Sequence, residues 1–268
     1  MYKLIAIDMD GTLLKGDKTI SNENYSAIQK ARKAGVKIVL ATGRPLNGIK
    51  KYLDHLHLIN EDDYTVVFGG AVVQNNKTEK FISHNILELE DWNYLYSLSQ
   101  KLNINIHVLT EDSCIAPKYS KYSNQEATMN NIPLIIDNPS NMKEKLSFIK
   151  IMFIDEADVV TEALKKLPKE LFEKYTIVRS SPYYLEFLNI NANKGLGVAT
   201  LAKSLNIKQD EVICIGDAGN DTHMVEYAGL GVAMENAFPE LKKVANFITL
   251  SNENHGVAHV INKFIFNN

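Results

Sequence analysis

Residues 3–14 read "KLIAIDMDGTLL", an apolar run that leads directly into two aspartates. The first part of this stretch, residues 3–7, is short, uninterrupted and contains β-branched side chains, which predicts a buried strand. Asp8 and Asp10 follow the strand at once, ahead of a glycine and a threonine. Since ligands bind at the carboxyl ends of the strands in open parallel sheets, the stretch predicts a rigid strand that holds two acids at a binding edge.

Strands and helices alternate around this stretch and again near the C-terminus. Buried strands are predicted at 3–7, 36–42, 64–70, 211–217 and 230–236, and helices at 21–35, 44–56, 194–206, 221–229 and 256–266. Ser21 suits the N-cap of the first helix, and Gly35 suits its end. Strands that alternate with helices in this way indicate an α/β fold, with a parallel sheet and helices on its faces.

The middle of the chain, residues 82–188, has a different pattern. Two amphipathic helices are predicted at 88–103 and 156–171, and strand-like stretches lie between and after them. This pattern is typical of an α+β domain. We therefore expect a core built from both ends of the chain, residues 1–81 and 189–268, with a second domain inserted between them.

The composition is that of an ordinary globular protein. The 268 residues carry 29 Lys and Arg against 32 Asp and Glu, a net charge of −3, so we expect no nucleic acid and no anionic membrane as a partner. No apolar run approaches the roughly 18 residues of a membrane span, and the N-terminal stretch does not resemble a secretory signal. Cys114 and Cys214 are expected as reduced thiols in a cytoplasmic protein.

Residues that carry chemistry gather at four places where an apolar run ends abruptly. If the sheet brings these places together, the site holds Asp8, Asp10, Thr12, Thr42, Arg44, Lys194, Asp217, Asn220 and Asp221. Several carboxylates at one place raise each other's pKa, and a divalent cation removes this conflict. Mg²⁺ takes few oxygen ligands from a protein and the others from water and phosphate. The set therefore fits a phosphate group and Mg²⁺.

Each of these residues also has a simpler structural interpretation. An Asp-x-Asp or a Thr-Gly pair is typical of an exposed turn, and Asp217, Asn220 and Asp221 all suit the N-cap of a helix. Lys194 opens a predicted helix, where a cation opposes the helix dipole, and this misfit favours another role. The structural interpretations explain the residues singly, but they do not explain why all of them fall at one edge of one sheet.

Read together, four motifs resemble those of the haloacid dehalogenase superfamily: "DMDGT" (8–12), "ATGR" (41–44), "NKG" (193–195) and "GDAGND" (216–221). Their order and spacing are similar to the Cof-type branch of sugar-phosphate phosphatases, as is "HMVEYAGLGVAMENA" (223–237). The resemblance implies a Rossmann-like core and an α+β cap between the second and third motifs, at 82–188. The chain departs from the branch at Gly69, where asparagine is frequent.

The resemblance also implies a role for each matching residue. Asp8 matches the nucleophile that takes the phosphoryl group, and Asp10 matches the general acid and base. The implied Mg²⁺ ligands are the carboxylates of Asp8 and Asp217 and the backbone carbonyl of Asp10. The implied phosphate contacts are the Met9 backbone, Thr42, Gly43, Lys194 and Asn220, and Asp221 matches a supporting acid near the metal.

The implied activity is Mg²⁺-dependent hydrolysis of a small-molecule phosphate ester, such as a sugar phosphate, through an aspartyl-phosphate. Asp8 must be ionised to attack phosphorus while Asp10 holds a proton, so we expect Mg²⁺ and Lys194 to give Asp8 the lower pKa. The cap is expected to select the substrate, because the core motifs touch only phosphate and metal.

Other functions share these residues. A phosphosugar mutase would pass the phosphoryl group back to a sugar, and a receiver-like regulator would hold its aspartyl-phosphate, although the predicted insert makes this chain long for a receiver. A non-catalytic phosphate-binding module is the third alternative. The sequence leaves the physiological ester and the oligomeric state open.

Overall fold

The computed structural model describes residues 1–142 and 146–267. The chain divides into two compact units. The first unit comprises Met1–Gly43, Lys51–His84 and Asn193–Asn268, and the second comprises Arg44–Lys50 and Asn85–Ala192. The sequence places the domain boundaries after residues 81 and 188. The assignment of the two units as catalytic core and cap stays a proposal.

Fourteen strands and ten α-helices are found among the described residues. The strands are β1 (Leu4–Ile7), β2 (Lys37–Ala41), β3 (Tyr64–Val67), β4 (Val72–Asn75), β5 (Phe81–His84), β6 (Asn105–Leu109), β7 (Cys114–Ala116), β8 (Leu134–Ile136), β9 (Lys150–Ile154), β10 (Tyr175–Ser181), β11 (Tyr184–Asn189), β12 (Val212–Gly216), β13 (Leu230–Ala233) and β14 (Phe247–Ile248). The helices are α1 (Asn22–Lys33), α2 (Lys50–His55), α3 (Leu89–Leu102), α4 (Lys121–Met129), α5 (Ala157–Lys165), α6 (Leu171–Lys174), α7 (Lys194–Ser204), α8 (Thr222–Tyr227), α9 (Pro239–Val244) and α10 (Gly256–Ile265).

The first unit is built on an eight-stranded sheet in the order β14-β13-β12-β1-β2-β3-β4-β5. The strands from β14 to β3 are parallel, and the hairpin strands β4 and β5 extend the sheet in antiparallel fashion. All four residues of β1 are fully buried, with Leu4 paired to Val212 of β12 on one side and to Lys37 of β2 on the other. The first predicted strand is therefore central to the sheet.

The local predictions at the N-terminal end are largely those observed. Ser21 accepts a hydrogen bond from the Asn24 amide and caps α1, as its residue type predicts. The predicted helix at 44–56 is wrong as a continuous element, because a helical turn at Leu46–Gly48 and the helix α2 are separated at Ile49. Gly48 is a poor helix former, which explains the break.

Gly69 lies in a tight turn after β3 with a positive φ of 67°. This left-handed conformation is accessible to glycine and to asparagine, but unfavourable for most other residues. Glycine and asparagine thus both meet the backbone requirement at position 69, so the departure from the family pattern preserves the turn.

The second unit is a six-stranded sheet in the order β10-β11-β9-β6-β7-β8. Alternate residues of its central strands face a core that the helices α3 and α5 cover. The strands contribute Ile106, Ile151, Phe153, Leu185 and Phe187, and the helices contribute Trp92 and Val160. The side-chain period of two sends the intervening residues to the opposite face. That face is covered by α4, which the sequence analysis did not predict.

The face under α4 holds a buried ionic cluster. The Lys150 ammonium lies 3.2 Å from Glu186 Oε1 and 3.8 Å from Glu126 Oε1. Burial raises the pKa of Glu126, while the two glutamates more than offset the effect of burial on Lys150 and raise its pKa. His107 lies on the same face beside Ser123, and burial together with the Lys150 charge lowers its pKa to about 3, so the ring is neutral.

None of the helices in residues 1–142 and 146–267 is long and apolar enough to cross a membrane. Both cysteines are free and buried.

Replacement of Lys150 by methionine should destabilise the second unit. The substitution keeps the volume but leaves Glu126 and Glu186 buried without their cation, at a cost of about 3–5 kcal/mol at pH 7. The loss should shrink toward pH 5, because Glu126, whose pKa burial already raises, then takes up a proton more readily in the folded than in the unfolded chain. Urea unfolding at both pH values measures the effect. The exposed Lys101→Met is the matched control, and a Lys150→Met cost no larger than the control's would contradict the prediction.

Candidate functional site

The site begins where β1 and β12 end side by side. The Asp8 amide donates to the Ile215 carbonyl of β12 over 3.0 Å, so the backbone of Asp8 continues the sheet. Asp217 follows β12 directly. Because the two strands are parallel neighbours, their carboxyl ends bring the side chains of Asp8 and Asp217 to the same edge.

Lys194 connects this edge to the helix α7. Its ammonium lies 2.6 Å from Asp8 Oδ1 and 2.6 Å from Asp221 Oδ1, and its side chain is completely buried. The helix starts here because Asn193 is the N-cap and accepts from the Leu196 amide. Burial alone would lower the pKa of Lys194, but Asp221 and Asp8 raise it, so the ammonium stays charged. The two carboxylates thus compensate a cation that opposes the helix dipole.

Asp221 is fully occupied by interactions within the protein. Its Oδ1 accepts from Lys194, and its Oδ2 accepts from the backbone amides of Asp217 and Ala218, each over 3.0 Å. It does not use its side chain to cap α8, so the capping interpretation is wrong for this residue. Instead, Asp221 closes the turn after β12 and fixes the position of Asp217.

Burial shifts the protonation of the other two acids. Burial, followed by the negative charge of Asp221, raises the pKa of Asp8 well above its ordinary value although Lys194 opposes the change. The same two causes raise the pKa of Asp217 to about 6. Lys194 alone is therefore not enough to give Asp8 the low pKa that the sequence analysis expects.

The donor set suits a divalent cation. Oxygen atoms of Asp8, Asp217 and Asp221 all lie within 4.8 Å of one another. When all three are ionised, a single ammonium leaves two negative charges uncompensated in a buried place. Carboxylate oxygens are the ligands of hard cations such as Mg²⁺. The cluster could therefore hold a metal ion. Its third acid is Asp221, whereas the third ligand expected from the sequence is the backbone carbonyl of Asp10.

The Asp10 side chain lies apart from this cluster. Its Oδ1 accepts from the Lys18 ammonium over 2.7 Å, and 40% of the side chain is exposed. Asp10 follows Asp8 by two residues, and its exposed carboxyl group is accessible to water or to a bound molecule. Nothing in the sequence pattern pointed to Lys18 as its partner.

The other residues with an implied phosphate contact lie just after the three strands β1, β2 and β12, whereas Arg44 belongs to the second unit. Thr42 follows β2, is buried, and accepts from the Gly69 amide through its backbone carbonyl. Gly43 is next to it, and open space surrounds the position that a Cβ atom would occupy there. Asn220 lies in the turn after β12, and the Met9 carbonyl accepts from the Leu14 amide. These residues share the edge with Asp8, and their contacts with phosphate stay predictions.

Comparison with known proteins gives the family. The model for haloacid dehalogenase-like hydrolases matches residues 5–261. A Bacillus subtilis protein named "Putative phosphatase YxeH" is 43% identical over 267 residues, with 99% of each chain covered. The chain belongs to the haloacid dehalogenase-like hydrolases. The predictions of this superfamily, of its α/β fold and of a phosphatase of this type are confirmed.

This haloacid dehalogenase-like hydrolase is also similar to a second named phosphatase and to a solved structure. The 5-amino-6-(5-phospho-D-ribitylamino)uracil phosphatase YcsE of Bacillus subtilis is 30% identical over 264 residues, covering 98% of this chain and 96% of that protein. The crystal structure of a haloacid dehalogenase-like hydrolase from Bacteroides thetaiotaomicron has a TM-score of 0.87 at 29% identity, and covers 98% of this chain and 99% of that one.

Several contacts of this hydrolase's site were not given roles from the sequence. Thr12 donates to Asp217 Oδ1 over 2.9 Å, and Asn236 donates to the Gly11 carbonyl over 2.8 Å. Thr12 and Asn236 stand inside quoted motifs, so their positions were visible. Their partners were not, because more than two hundred residues separate each donor from its acceptor.

Cation binding to this hydrolase should strengthen as the pH rises through about 6, the raised pKa of Asp217. Below that pH a cation must displace a proton from Asp217, so its affinity should fall by roughly tenfold per pH unit. Calorimetric titration with Mg²⁺ in buffers of different protonation enthalpy measures both the affinity and the released proton. An affinity that is constant from pH 5 to 7.5 would contradict the expected competition.

Proposed function

We propose that this chain is a Mg²⁺-dependent phosphomonoesterase that works through an aspartyl-phosphate on Asp8. The observation that carries the proposal is the buried Lys194 ammonium, 2.6 Å from both Asp8 and Asp221, beside the acid cluster. The packing of the sheet does not require a buried lysine, held by two acids, at its open edge. Such a lysine suits a place where phosphoryl oxygens and carboxylates must share positive charge.

In the first step, the oxygen of the Asp8 carboxylate that Lys194 does not hold attacks phosphorus. The bond from phosphorus to the ester oxygen breaks, and Asp10 gives its proton to the departing oxygen. The exposed position of the Asp10 carboxyl gives it access to a leaving group. Lys18, which pairs with Asp10, must release it or share it during this transfer.

In the second step, Asp10 takes a proton from water as the water oxygen attacks the phosphorus of the aspartyl-phosphate. The bond between phosphorus and Asp8 breaks, which releases phosphate and restores both acids. Thr42, Gly43, Asn220 and the Met9 backbone would orient the phosphoryl oxygens. Asp8, Asp217 and the Asp10 carbonyl would hold Mg²⁺, with Asp221 in support; when bound, the ion neutralises charge on the acids and on the phosphoryl group.

The proposed substrates are sugar phosphates or related small phosphorylated metabolites. The relative YcsE is named for an ester whose phosphate is carried by a ribityl chain, a sugar-derived polyol. We further propose that the second unit acts as the cap that selects among such esters, because the acids and the lysine of the first unit recognise only what all phosphate monoesters share. Water as the acceptor, and a cytoplasmic location, belong to the same proposal.

Replacement of Asp8 by asparagine should abolish turnover. The amide keeps the size of the side chain but is a far weaker nucleophile, so kcat for p-nitrophenyl phosphate with Mg²⁺ should fall by about 10³-fold or more. Asp54→Asn, at an exposed position of the same unit, is the matched control and should keep wild-type activity. Substantial turnover by Asp8→Asn would remove the nucleophile assignment.

Replacement of Asp10 by asparagine should slow both steps by about 10²-fold with an alkyl phosphate. With p-nitrophenyl phosphate, whose leaving group needs no proton, the second step should be affected more than the first, so phosphorylated enzyme should accumulate. Single-turnover measurements with quenched samples separate the two steps. If neither slows, Asp10 is not the acid and base.

A substrate screen tests the proposed class. Sugar phosphates, nucleotides and cofactor phosphates are compared by kcat/KM, with free phosphate as the measured product and no bisphosphate activator present. The highest values are expected for sugar and polyol phosphates. Phosphoryl transfer to a second sugar without free phosphate would favour a mutase, and a stable phosphorylated Asp8 would favour a receiver-like regulator.

A further inference from the structure

Two asparagines from the C-terminal part of the chain hold the loop that follows β1. Asn236 Nδ2 donates to the Gly11 carbonyl over 2.8 Å, and Asn252 Nδ2 donates to the Leu14 carbonyl over 2.9 Å. The two are themselves connected, since the Asn252 amide donates to Asn236 Oδ1 over 3.0 Å. We call Asn236 and Asn252 the asparagine clamp, because together they hold both ends of the Gly11–Leu14 segment.

The clamped segment lies directly against Asp217. Gly11 has a φ of +87°, and a Cβ atom built on it would be 2.3 Å from Asp217 Oδ2. Thr12, the next residue, donates to Asp217 Oδ1. The backbone of Gly11 and the hydroxyl of Thr12 therefore limit the position of both oxygens of the Asp217 carboxylate.

The same segment is tied to the nucleophile candidate through its backbone. The Leu13 amide donates to the Asp8 carbonyl over 3.2 Å, and the Leu14 amide donates to the Met9 carbonyl over 2.8 Å. A displacement of the segment would therefore move both the end of β1 and the Asp217 carboxylate. The asparagine clamp is the side-chain contact that holds the segment from the far end of the chain.

We propose that Asn236 and Asn252 are positioning residues that hold the Gly11–Leu14 segment in the geometry that directs Asp217 toward the divalent cation. This inference rests on the proposed function and extends it to two residues that would touch neither substrate nor metal. Asn236 is exposed and Asn252 is partly exposed, so neither side chain is packed in the core. Their amide groups donate hydrogen bonds to the backbone of the Gly11–Leu14 segment.

The test compares Asn236→Ala, Asn252→Ala and the double variant with Asn254→Ala. Asn254 is exposed and follows Asn252 by two residues, and its hydrogen bond to Ser251 uses only its backbone amide, so it is the matched control. Three quantities are measured for each protein: the Mg²⁺ dissociation constant by calorimetry without substrate, the Mg²⁺ concentration that half-activates hydrolysis of p-nitrophenyl phosphate, and Tm without Mg²⁺.

Each clamp variant should raise the Mg²⁺ dissociation constant and the half-activating concentration by about tenfold, the size of effect that supporting residues have on metal sites. The double variant should lose less than the product of the two single effects, because both side chains act through one segment. Tm should fall by no more than about 4 °C for Asn252→Ala, which loses one solvent-accessible side-chain hydrogen bond, and by no more than about twice that for Asn236→Ala, which loses two. Excess Mg²⁺ should restore kcat.

Wild-type Mg²⁺ constants in both single variants would overturn the inference. A large fall in Tm with unchanged Mg²⁺ binding would also overturn it, since the asparagines would then serve stability alone. The calorimetric constant separates this failure from that of the proposed function: a wild-type protein that binds Mg²⁺ but releases no phosphate refutes the phosphatase, while the clamp is still judged by the shift in Mg²⁺ affinity.

Discussion

The site depends on one ammonium group held between two carboxylates inside the protein. Lys194 and Asp221 are both completely buried, and removal of ions from water costs several kcal/mol per ion unless partners compensate them. Asp8 and Asp221 together provide that compensation, since they raise the pKa of Lys194 against the effect of burial. Two neighbouring features of the site support this contact. Asn193 starts the helix that carries the lysine, and the turn after β12 presents the second acid.

The three acids of the cluster are held in different ways. Both oxygens of Asp221 are used by Lys194 and by backbone amides. Asp217 is steadied by the Thr12 hydroxyl, and Asp8 by one contact with Lys194. Asp221 is thus the most constrained acid, whereas Asp8 and Asp217 have oxygen atoms that a cation can claim. Burial and the negative charge of Asp221 raise the pKa of both Asp8 and Asp217, and their few hydrogen-bond donors do not offset these effects.

The sequence predicts those parts of the fold that depend on short-range patterns. The apolar runs at β1 and β12 and the capping residue Ser21 were visible because burial and helix capping act within a few residues. The convergence of Asp8, Lys194 and Asp217 was predictable because parallel strands end at one edge.

Other features could not be predicted, since they depend on distant partners or on weak patterns. The helix α4 has the sequence "KYSNQEATM", whose few apolar residues give little periodicity, and its inward face carries Glu126 toward Lys150. The bond from Lys18 to Asp10 and those of Asn236 and Asn252 join side chains to loops that only the folded chain brings together. The raised pKa of Asp8 likewise needs the burial that no pattern reports.

The central place of β1 has a consequence for how the chain is made. Leu4 of β1 pairs with Val212 of β12, so one edge of the first strand has no neighbour until the residues of β12, about two hundred positions later, have left the ribosome. An apolar strand with an open edge is a site of mispairing with other chains. The inserted unit, in contrast, is complete in sequence at Ala192 and precedes the last strands of the first unit. During synthesis, the segment that carries Asp8 therefore needs protection, by a chaperone or by transient burial, for longer than any other strand found in residues 1–142 and 146–267.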